Sequence, residues 1–197
     1  MTIHPLESPS RDEVTNAVDI FRSHHKNRKS FFSSIGLQEP KKSDVLGKKT
    51  IPRVIELTGV DEEQDGGFVA LIDVTGSKVL SSTRLPLDTQ VAYNYADLGL
   101  AVILTKSNAQ WLESVAARGI DVSTEDALAL IQIDPWPAGG YAHDSIPAGH
   151  RALRCIAFLK EDPTDNGYAR PIHGLIAHVD LTAGVVTHVE DSGIIPM

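Results

Sequence analysis

The stretch RALRCIAFLKEDPTDNGYARPIHGLIAHVDLTAGVVTHVED, residues 151–191, decides the fold because it contains the clearest succession of strands in the chain. Apolar and polar side chains alternate over residues 151–160 and again over 172–181, the period of two of a strand with one buried face. The turn 182–184 (TAG) then leads into a third strand at 185–191. The stretch therefore predicts an antiparallel meander.

The two faces of this predicted sheet differ in character. Leu153, Cys155 and Leu175 belong to a strongly apolar row, which predicts the core face. The opposite face mixes apolar, basic and imidazole side chains, and we call it the second face: Arg154, Ile156, Phe158, Ile176, His178 and His188. It is too apolar to be left in water, so another layer of the chain or another domain should cover it.

Composition and charge narrow the class of protein. The 197 residues are 42% hydrophobic and 22% charged, as in ordinary globular proteins. The formal net charge of −8 argues against nucleic-acid and anionic-membrane partners, because both require a basic surface. No apolar run approaches the ~18 residues of a membrane span, and the first ten residues lack a signal-peptide pattern. We therefore expect a cytoplasmic protein.

The first half of the chain predicts one helix and four strands. Ser10 and Glu13 form a capping box, and the helix that follows fades near His24. The remaining elements follow in order: a strand at 31–37, a strand at 49–58, a polar loop at 61–67, and a hairpin of 68–74 and 78–85.

The second half begins with a segment that has no clear pattern, residues 85–100, which we interpret as the crossing between two modules. Ser107 and Gln110 form a second capping box. The predicted elements after it are an apolar helical stripe of Trp111, Leu112, Val115 and Ala116, a helix stop at Gly119, a helical turn at 123–126 and a strand at 128–134.

The two halves share a plan of helix, strands and closing hairpin. Residues 71–76 (LIDVTG) align with 178–183 (HVDLTA) at the same place in each hairpin, which is a weak internal repeat. The fold class expected is α+β, with two duplicated modules that each pack a helix on a roughly four-stranded antiparallel sheet. The expected domains are residues 1–90 and 91–197.

Histidines are the first candidates for chemistry. None of the eight forms a His-x-His or His-x-x-x-His pair. His178 and His188 can face each other across the last hairpin, and His173 is a conceivable third ligand. A histidine pair without metal is the preferred interpretation. The single cysteine, Cys155, falls in the apolar row and is expected to be a core thiol.

The loop at 161–170 gathers oxygen ligands in Asp162, Asp165 and Asn166, but it lacks the spacing and the bidentate glutamate of a calcium loop. These residues are interpreted as turn formers, with Arg170 pairing with one of the carboxylates. No phosphate-binding loop, dinucleotide fingerprint or Gly-x-Ser-x-Gly motif is present, so nucleotide and hydrolase chemistry have no support.

Aromatic side chains mark the loops around the predicted sheet. Trp136, Tyr141 and Tyr168 fall in predicted loops, where aromatics pack against the protein, line a channel or anchor an interface.

Three motifs together carry a resemblance: residues 134–136 (DPW), 162–172 (DPTDNGYARPI) and 174–180 (GLIAHVD). They closely resemble the third domain of the copper- and topaquinone-dependent primary-amine oxidases. The opening His4-Pro5-Leu6 and the pattern as far as Leu85 are similar to the domain before it. The resemblance implies two cystatin-like modules ahead of a catalytic β-sandwich domain.

The resemblance also implies where the cofactors lie. In the family, a His-x-His pair and a further histidine bind copper, and the quinone forms from the tyrosine of Thr-x-x-Asn-Tyr-Asp/Glu, all in the catalytic domain. Asn94-Tyr95 is a local echo of that motif, but Val91 replaces the threonine and Ala96 replaces the acid. We therefore expect no cofactor and no catalytic residue in this chain, with copper and topaquinone in the full-length family.

The function implied is that of a non-catalytic N-terminal part of a tyramine-oxidase-like enzyme, acting as scaffold and interface. Pro135, Trp136 and Tyr168 match positions that wall the mouth of the amine channel. The partners implied are the amine oxidase catalytic domain or a second copy of the chain, and a primary amine only in the complete enzyme. Two alternatives stay open: a free-standing interaction or assembly module, and a carrier that holds an amine between sheet and helix.

Overall fold

The chain folds as two units, Met1–Ala92 (unit 1) and Tyr93–Met197 (unit 2). The computed structural model describes residues 4–26, 29–61 and 64–194. Sequence places the division two residues earlier, and the assignment of the units to the family's second and third domains stays a prediction. None of the described helices combines the length and the hydropathy that a membrane crossing requires.

Unit 1 packs helix α1 against one antiparallel sheet of strand order β1-β2-β3-β4. Its elements are α1 Arg11–His24, β1 Ser30–Leu37, α2 Lys42–Leu46, β2 Val54–Asp61, β3 Gln64–Asp73 and β4 Lys78–Arg84.

The start and the buried face of α1 follow the sequence. The Ser10 hydroxyl accepts a hydrogen bond from the Glu13 backbone N–H at 3.2 Å, and the Glu13 carboxylate accepts one from the Ser10 N–H at 2.8 Å. Ala17 and Phe21 are buried, and the Phe21 ring stacks on Phe68 of β3 at 4.8 Å. Loss of a buried phenylalanine of this kind costs about 3–5 kcal/mol.

In unit 1 one helix was missed and two predictions are wrong in their bounds. The short helix α2 was not predicted, and the strand predicted at 49–58 begins only at Val54, after Pro52, which has no N–H for a ladder. The predicted loop at 61–67 is mostly strand, although residues 62 and 63 lie outside the described part. Gly67 is a packing glycine, since a Cβ there would come 2.8 Å from Val91 Cγ1.

Unit 2 packs helices α3 and α4 against a second antiparallel sheet of order β5-β6-β7-β8. Its elements are α3 Tyr95–Ser107, α4 Ala109–Ala117, α5 Glu125–Ala129, β5 Ile131–Pro137, a short 3₁₀ helix Gly139–Tyr141, β6 Ala152–Leu159, β7 Leu175–Asp180 and β8 Val185–Asp191. The predicted meander of 151–191 is confirmed as β6, β7 and β8.

The core of unit 2 lies between α3 and α4 and the predicted apolar row of the sheet. Its fully buried members are Ala101, Trp111, Val115, Leu153, Cys155, Leu175, Ala177 and Val179. Full burial of each large side chain contributes about 1.5–3 kcal/mol. The space between helix and sheet in this unit is therefore filled by side chains.

Helix α3 was missed because it is apolar on nearly all sides, so no stripe of period 3.6 marks it. It begins in the segment interpreted as a crossing. Its cap is Asn94, whose side chain accepts from the Asp97 N–H at 3.0 Å, while the Asp97 carboxylate accepts from the Asn94 N–H. Asn94 thus has a structural role that the motif comparison did not suggest.

Two further predictions in unit 2 need correction. The cap of α4 is Asn108 and not Ser107, because the Asn108 side chain accepts from the Trp111 N–H at 2.9 Å, and Ala116 is exposed. The strand predicted at 128–134 is β5, which begins at Ile131 and runs to Pro137. Trp136 therefore lies in a strand and not in a loop.

The internal repeat has a physical basis in the two closing hairpins. Asp73 Oδ1 accepts from the Gly76 N–H at 2.8 Å in unit 1, and Asp180 Oδ1 accepts from the Ala183 N–H at 2.9 Å in unit 2. Both carboxylates are buried, and they fix equivalent turns at aligned positions. The predicted α+β fold of two related modules is confirmed.

Candidate functional site

The register of the second sheet places four side chains in one row across the second face. Trp136 of β5 lies opposite Arg154 of β6, Arg154 lies opposite His178 of β7, and His178 lies opposite His188 of β8. An indole, a guanidinium and two imidazoles are therefore neighbours on adjacent strands. The row therefore places four functional side chains together on one face of unit 2.

The predicted channel-mouth residues do not form one contact group. Trp136 is 57% exposed, and its Nε1–H donates to Asp134 Oδ2 at 2.8 Å. Tyr168 is 58% exposed and packs edge-on against Phe158, with ring centroids 5.1 Å apart. Pro135 pairs with a core-face residue of β6, so it lies on the opposite face of the sheet from Trp136.

Trp136 and Tyr168 nevertheless share the second face. Phe158, which Tyr168 contacts, lies four residues along β6 from Arg154, which pairs with Trp136. That separation is about 13 Å along a strand. The two exposed aromatic rings can therefore border one surface without touching each other.

A third histidine joins the predicted pair, and it is not His173. The His143 ring, from the loop between β5 and β6, stacks on His188 at 3.9 Å and lies 5.3 Å from the His178 ring. His178 and His188 are 5.7 Å apart, and His178 Nε2 lies 3.3 Å from Glu190 Oε2. We call His143, His178 and His188 the histidine cluster.

Loops of the same unit supply part of the cover expected for the second face. Ala138, Ile146 and Ala152 form a small buried cluster where the loop between β5 and β6 meets the sheet. Ile156 and Phe158 are half-buried, so the face is neither open to water nor closed as a core.

Comparisons with known proteins agree on one relationship. The chain is 29% identical over 195 residues to a primary amine oxidase and to a copper methylamine oxidase of Arthrobacter sp. (strain P1), which covers 98% of this chain and 29% of each relative. It is 27% identical over 198 residues to a histamine oxidase of Arthrobacter globiformis. No family model matches.

The chain resembles the copper-containing amine oxidases. Among solved structures, a copper-containing benzylamine oxidase of Hansenula polymorpha superposes with a TM-score of 0.76 at 13% identity, covering 98% of this chain and 32% of that one. That likeness is one of fold. The resemblance inferred from the sequence motifs is confirmed, and the chain spans less than a third of the length of these amine oxidases.

The described residues do not fit the cofactors of the copper amine oxidases. No three of their histidine, cysteine, aspartate or glutamate side chains come together as metal ligands. Tyr95, the echo of the quinone precursor, is the first residue of α3 and is 91% exposed, without the enclosed setting in which a cofactor reacts.

The loop whose motif resembles the amine oxidases is held by ion pairs. Arg170 contacts the carboxylates of Glu161 and Asp165, the latter at 2.5 Å, as the sequence predicts for one carboxylate. Asp162 accepts from the Thr164 N–H and hydroxyl, and these bonds lower the pKa of Asp162. The carboxylates therefore shape the loop that carries Tyr168.

Cys155 is confirmed as a core thiol. It is 1% exposed on β6, and burial raises its pKa to about 11, so the nucleophilic thiolate is disfavoured.

Unit 1 has a cleft of about 490 Å³ beside α1 and β4, next to the stacked Phe21 and Phe68 rings. Among the described residues, its lining includes His24, Arg84 and Asp61. Histidine and arginine side chains suit an ammonium ligand poorly, so these described residues do not favour the amine-carrier hypothesis.

Sequence reasoning placed Arg154, His178 and His188 on the second face but missed two other members of the site. Trp136 was assigned to a loop, although extending the strand alternation to residue 136 would have placed it on this face beside Arg154. His143 could not have been placed in this way, because it comes from a loop whose path no periodicity predicts.

Proposed function

We propose that the chain is the non-catalytic N-terminal part of a copper-dependent primary-amine oxidase, in which it supplies the second and third domains. The observation that carries this proposal is an alignment that runs through both units while spanning 29% of the relative. The complete enzyme would convert a primary amine, oxygen and water to an aldehyde, ammonia and hydrogen peroxide. Aryl- and alkylamines of the tyramine type are the substrates we infer.

The role inferred for this chain is that of scaffold, interface and wall of the amine channel. Trp136 and Tyr168 support it because they are exposed, aromatic and on the same side of the second sheet. Aromatic faces attract ammonium groups through the ring quadrupole. Pro135 would act differently. It lacks a backbone N–H, so the edge strand β5 has no donor at this position, and its ring restricts the backbone next to Trp136.

The test combines this chain with the catalytic domain of a related amine oxidase, either fused or as a separate chain. Trp136→Ala and Tyr168→Ala should change KM for benzylamine by at least about fivefold, the equivalent of ~1 kcal/mol, with kcat unchanged. Tyr141→Ala is the matched control, because Tyr141 is also exposed but lies outside the predicted mouth. Equal KM values in all four proteins would contradict the channel role.

A second candidate is a free-standing interaction or assembly module. The observation that favours it is the exposed apolar side of α3, where Tyr95 is 91% and Ile103 65% exposed. Exposed apolar patches mark protein contacts, and the contact could be with the catalytic domain or with a second copy of the chain. Sedimentation of the purified chain with and without the catalytic domain distinguishes these partners, with Ile103→Asp expected to weaken the contact and Ser107→Asp serving as control.

A further inference from the structure

The loop between β5 and β6, residues 138–151, is attached to the second face at three places. The first is apolar, where Ala138 and Ile146 are buried with Ala152. The second is the histidine cluster, where His143 stacks on His188 and faces His178, and the third is the His150–Asp180 pair at the C-terminal end of the loop. The first attachment does not depend on pH, whereas imidazoles change charge between about pH 5 and 8.

We propose that the histidine cluster is a pH-sensitive latch, which holds the loop of residues 138–151 on the second face at neutral pH and releases it in acid. The inference is independent of the amine oxidase proposal, because it rests on contacts within unit 2 alone.

The geometry requires neutral imidazoles. The His178 side chain is 5% exposed, and its Nδ1 is buried without a hydrogen-bond partner in the described part of the chain. His143 Nδ1 accepts from the Ser145 backbone N–H at 3.2 Å, which it can do only while that nitrogen is unprotonated, and it also lies 2.8 Å from the Ser145 hydroxyl, which can donate or accept. Protonation at Nδ1 would break the bond from the backbone N–H and place a cation 3.9 Å above the His188 ring.

The surrounding charges increase the cost of protonation. Arg154 of β6 lies directly opposite His178, and its Nε is buried without a hydrogen-bond partner among the described residues. Glu190 of β8 is the carboxylate in contact with His178, and it is exposed enough for water to screen it. Protonating the three rings would therefore set four positive charges against one screened carboxylate.

The other two carboxylates of this face are already engaged. Asp180 of β7, two residues after His178, is paired with His150 at 2.7 Å. Asp134 of β5 accepts from the Trp136 indole N–H. This pair fixes the C-terminal end of the loop to β7, so that end should stay attached while the His143 end detaches.

The direction of the pKa shift agrees with this geometry. Burial lowers the pKa of His178, the charges of Arg154 and His143 lower it further, and Glu190 opposes them. A folded pKa below the ordinary value of about 6.5 means that the closed loop is stabilised above that pH. This stabilisation is lost as the pH falls from about 6.5 through the folded pKa.

The cluster is better suited to titration than to metal binding. The His143 and His188 rings are nearly parallel, with planes 12° apart, so their lone pairs do not converge on one point. No group of three metal ligands is found in the residues that the structure describes.

The experiment measures amide hydrogen exchange of residues 139–149 in the full chain at about pH 5.5 and 7.5, corrected for intrinsic rates and with EDTA present. In the wild-type chain, the protection of these amides should fall in acid by about tenfold for each pH unit by which the His178 pKa lies below its ordinary value. His143→Phe keeps a ring that can stack but removes one of the three imidazoles, so protection should fall less in acid than it does in the wild-type chain. His173→Phe, at an exposed histidine of the same unit, should behave as wild type.

Two results would overturn the latch: no loss of protection in acid with EDTA present, or an equal loss in His143→Phe. If the His143→Phe chain does not fold, NMR titration of the wild-type histidines decides the matter alone. The His178 ring and the loop amides must then share one midpoint below the ordinary histidine value, and separate midpoints would contradict the proposal.

Discussion

Replacing Arg118 by leucine should lower the free energy of unfolding of unit 2 more than a typical surface substitution does. The reason is that the Arg118 side chain joins the end of α4 to the last strand, β8. The guanidinium is 5% exposed and donates to Asp191 at 2.7 and 3.1 Å. It also donates to the carbonyls of Ser114, Gly174 and Gly193 at 2.8, 3.2 and 2.8 Å. One arginine thus satisfies a carboxylate and three carbonyls.

The size of the effect depends on which of these groups water can reach after the change. Hydrogen bonds to charged groups contribute about 1.5–3 kcal/mol each, but they are not additive. Asp191 is 32% exposed, so water would rehydrate it and the ion pair itself counts for little. The part-buried carbonyls of Ser114 and Gly174 carry most of the cost, and the expected loss is about 3 kcal/mol.

Urea unfolding followed by tryptophan fluorescence measures this loss in unit 2 alone, because both tryptophans of the chain, Trp111 and Trp136, belong to it. With a slope of about 2 kcal/mol per molar urea, the midpoint should fall by ~1.5 M. Arg118→Lys keeps the charge without the fork and should lose about half as much. A shift below ~0.5 M for Arg118→Leu, or equal shifts for both variants, would refute the clamp.

The contribution of the Arg118–Asp191 ion pair to stability should also depend on pH. The Arg118 guanidinium holds the pKa of Asp191 well below its usual range. The stabilisation is therefore complete above about pH 4 and fades only as the pH falls toward the folded pKa.

Three further predictions concern other places in the fold. Gly59→Ala should lower the free energy of unfolding, measured by thermal unfolding, by about 3 kcal/mol, because its Cβ would overlap a carbonyl oxygen of β1. Gly36→Ala is the control and should leave the stability nearly unchanged, because the space around Gly36 is open. Equal losses of stability in the two variants would contradict the predicted clash. Glu13→Gln should lower the free energy of unfolding of unit 1 by about 1 kcal/mol at neutral pH. The difference in unfolding free energy between the variant and the wild type should narrow from about pH 4.5 toward 2, since the hydrogen bond with Arg53 lowers the Glu13 pKa to about 2. A difference that does not change with pH would contradict this prediction. Cys155 in the folded chain should react with iodoacetamide at least ~100-fold more slowly than in urea; comparable rates would show that the thiol is not in the core.

The strands of unit 2 could be predicted from sequence because each has one strongly buried face. Alternation around Leu153 and Leu175 is visible without any knowledge of the partner strands. The same reasoning fails for α3, whose apolar residues cover nearly every side of the helix. It also fails at Gly67, because a glycine that permits close packing reads like a turn glycine until its neighbour Val91 is known.

The candidate site was predictable only in part, for a similar reason. Sequence singled out His178 and His188 because a hairpin register brings them together. It named His173 as a conceivable third ligand, whereas the third ring in contact with the pair is His143, from the loop between β5 and β6. Local periodicity cannot predict contacts made by a loop.

The most direct test of the proposed function is copper loading of the purified chain. The chain is incubated with Cu²⁺ in air, supplied with tyramine, methylamine or benzylamine, and assayed for hydrogen peroxide, with mass spectrometry of the peptide that contains Tyr95. The non-catalytic function predicts no amine-dependent peroxide and an unmodified tyrosine. Peroxide formation together with a quinone at Tyr95 would contradict it.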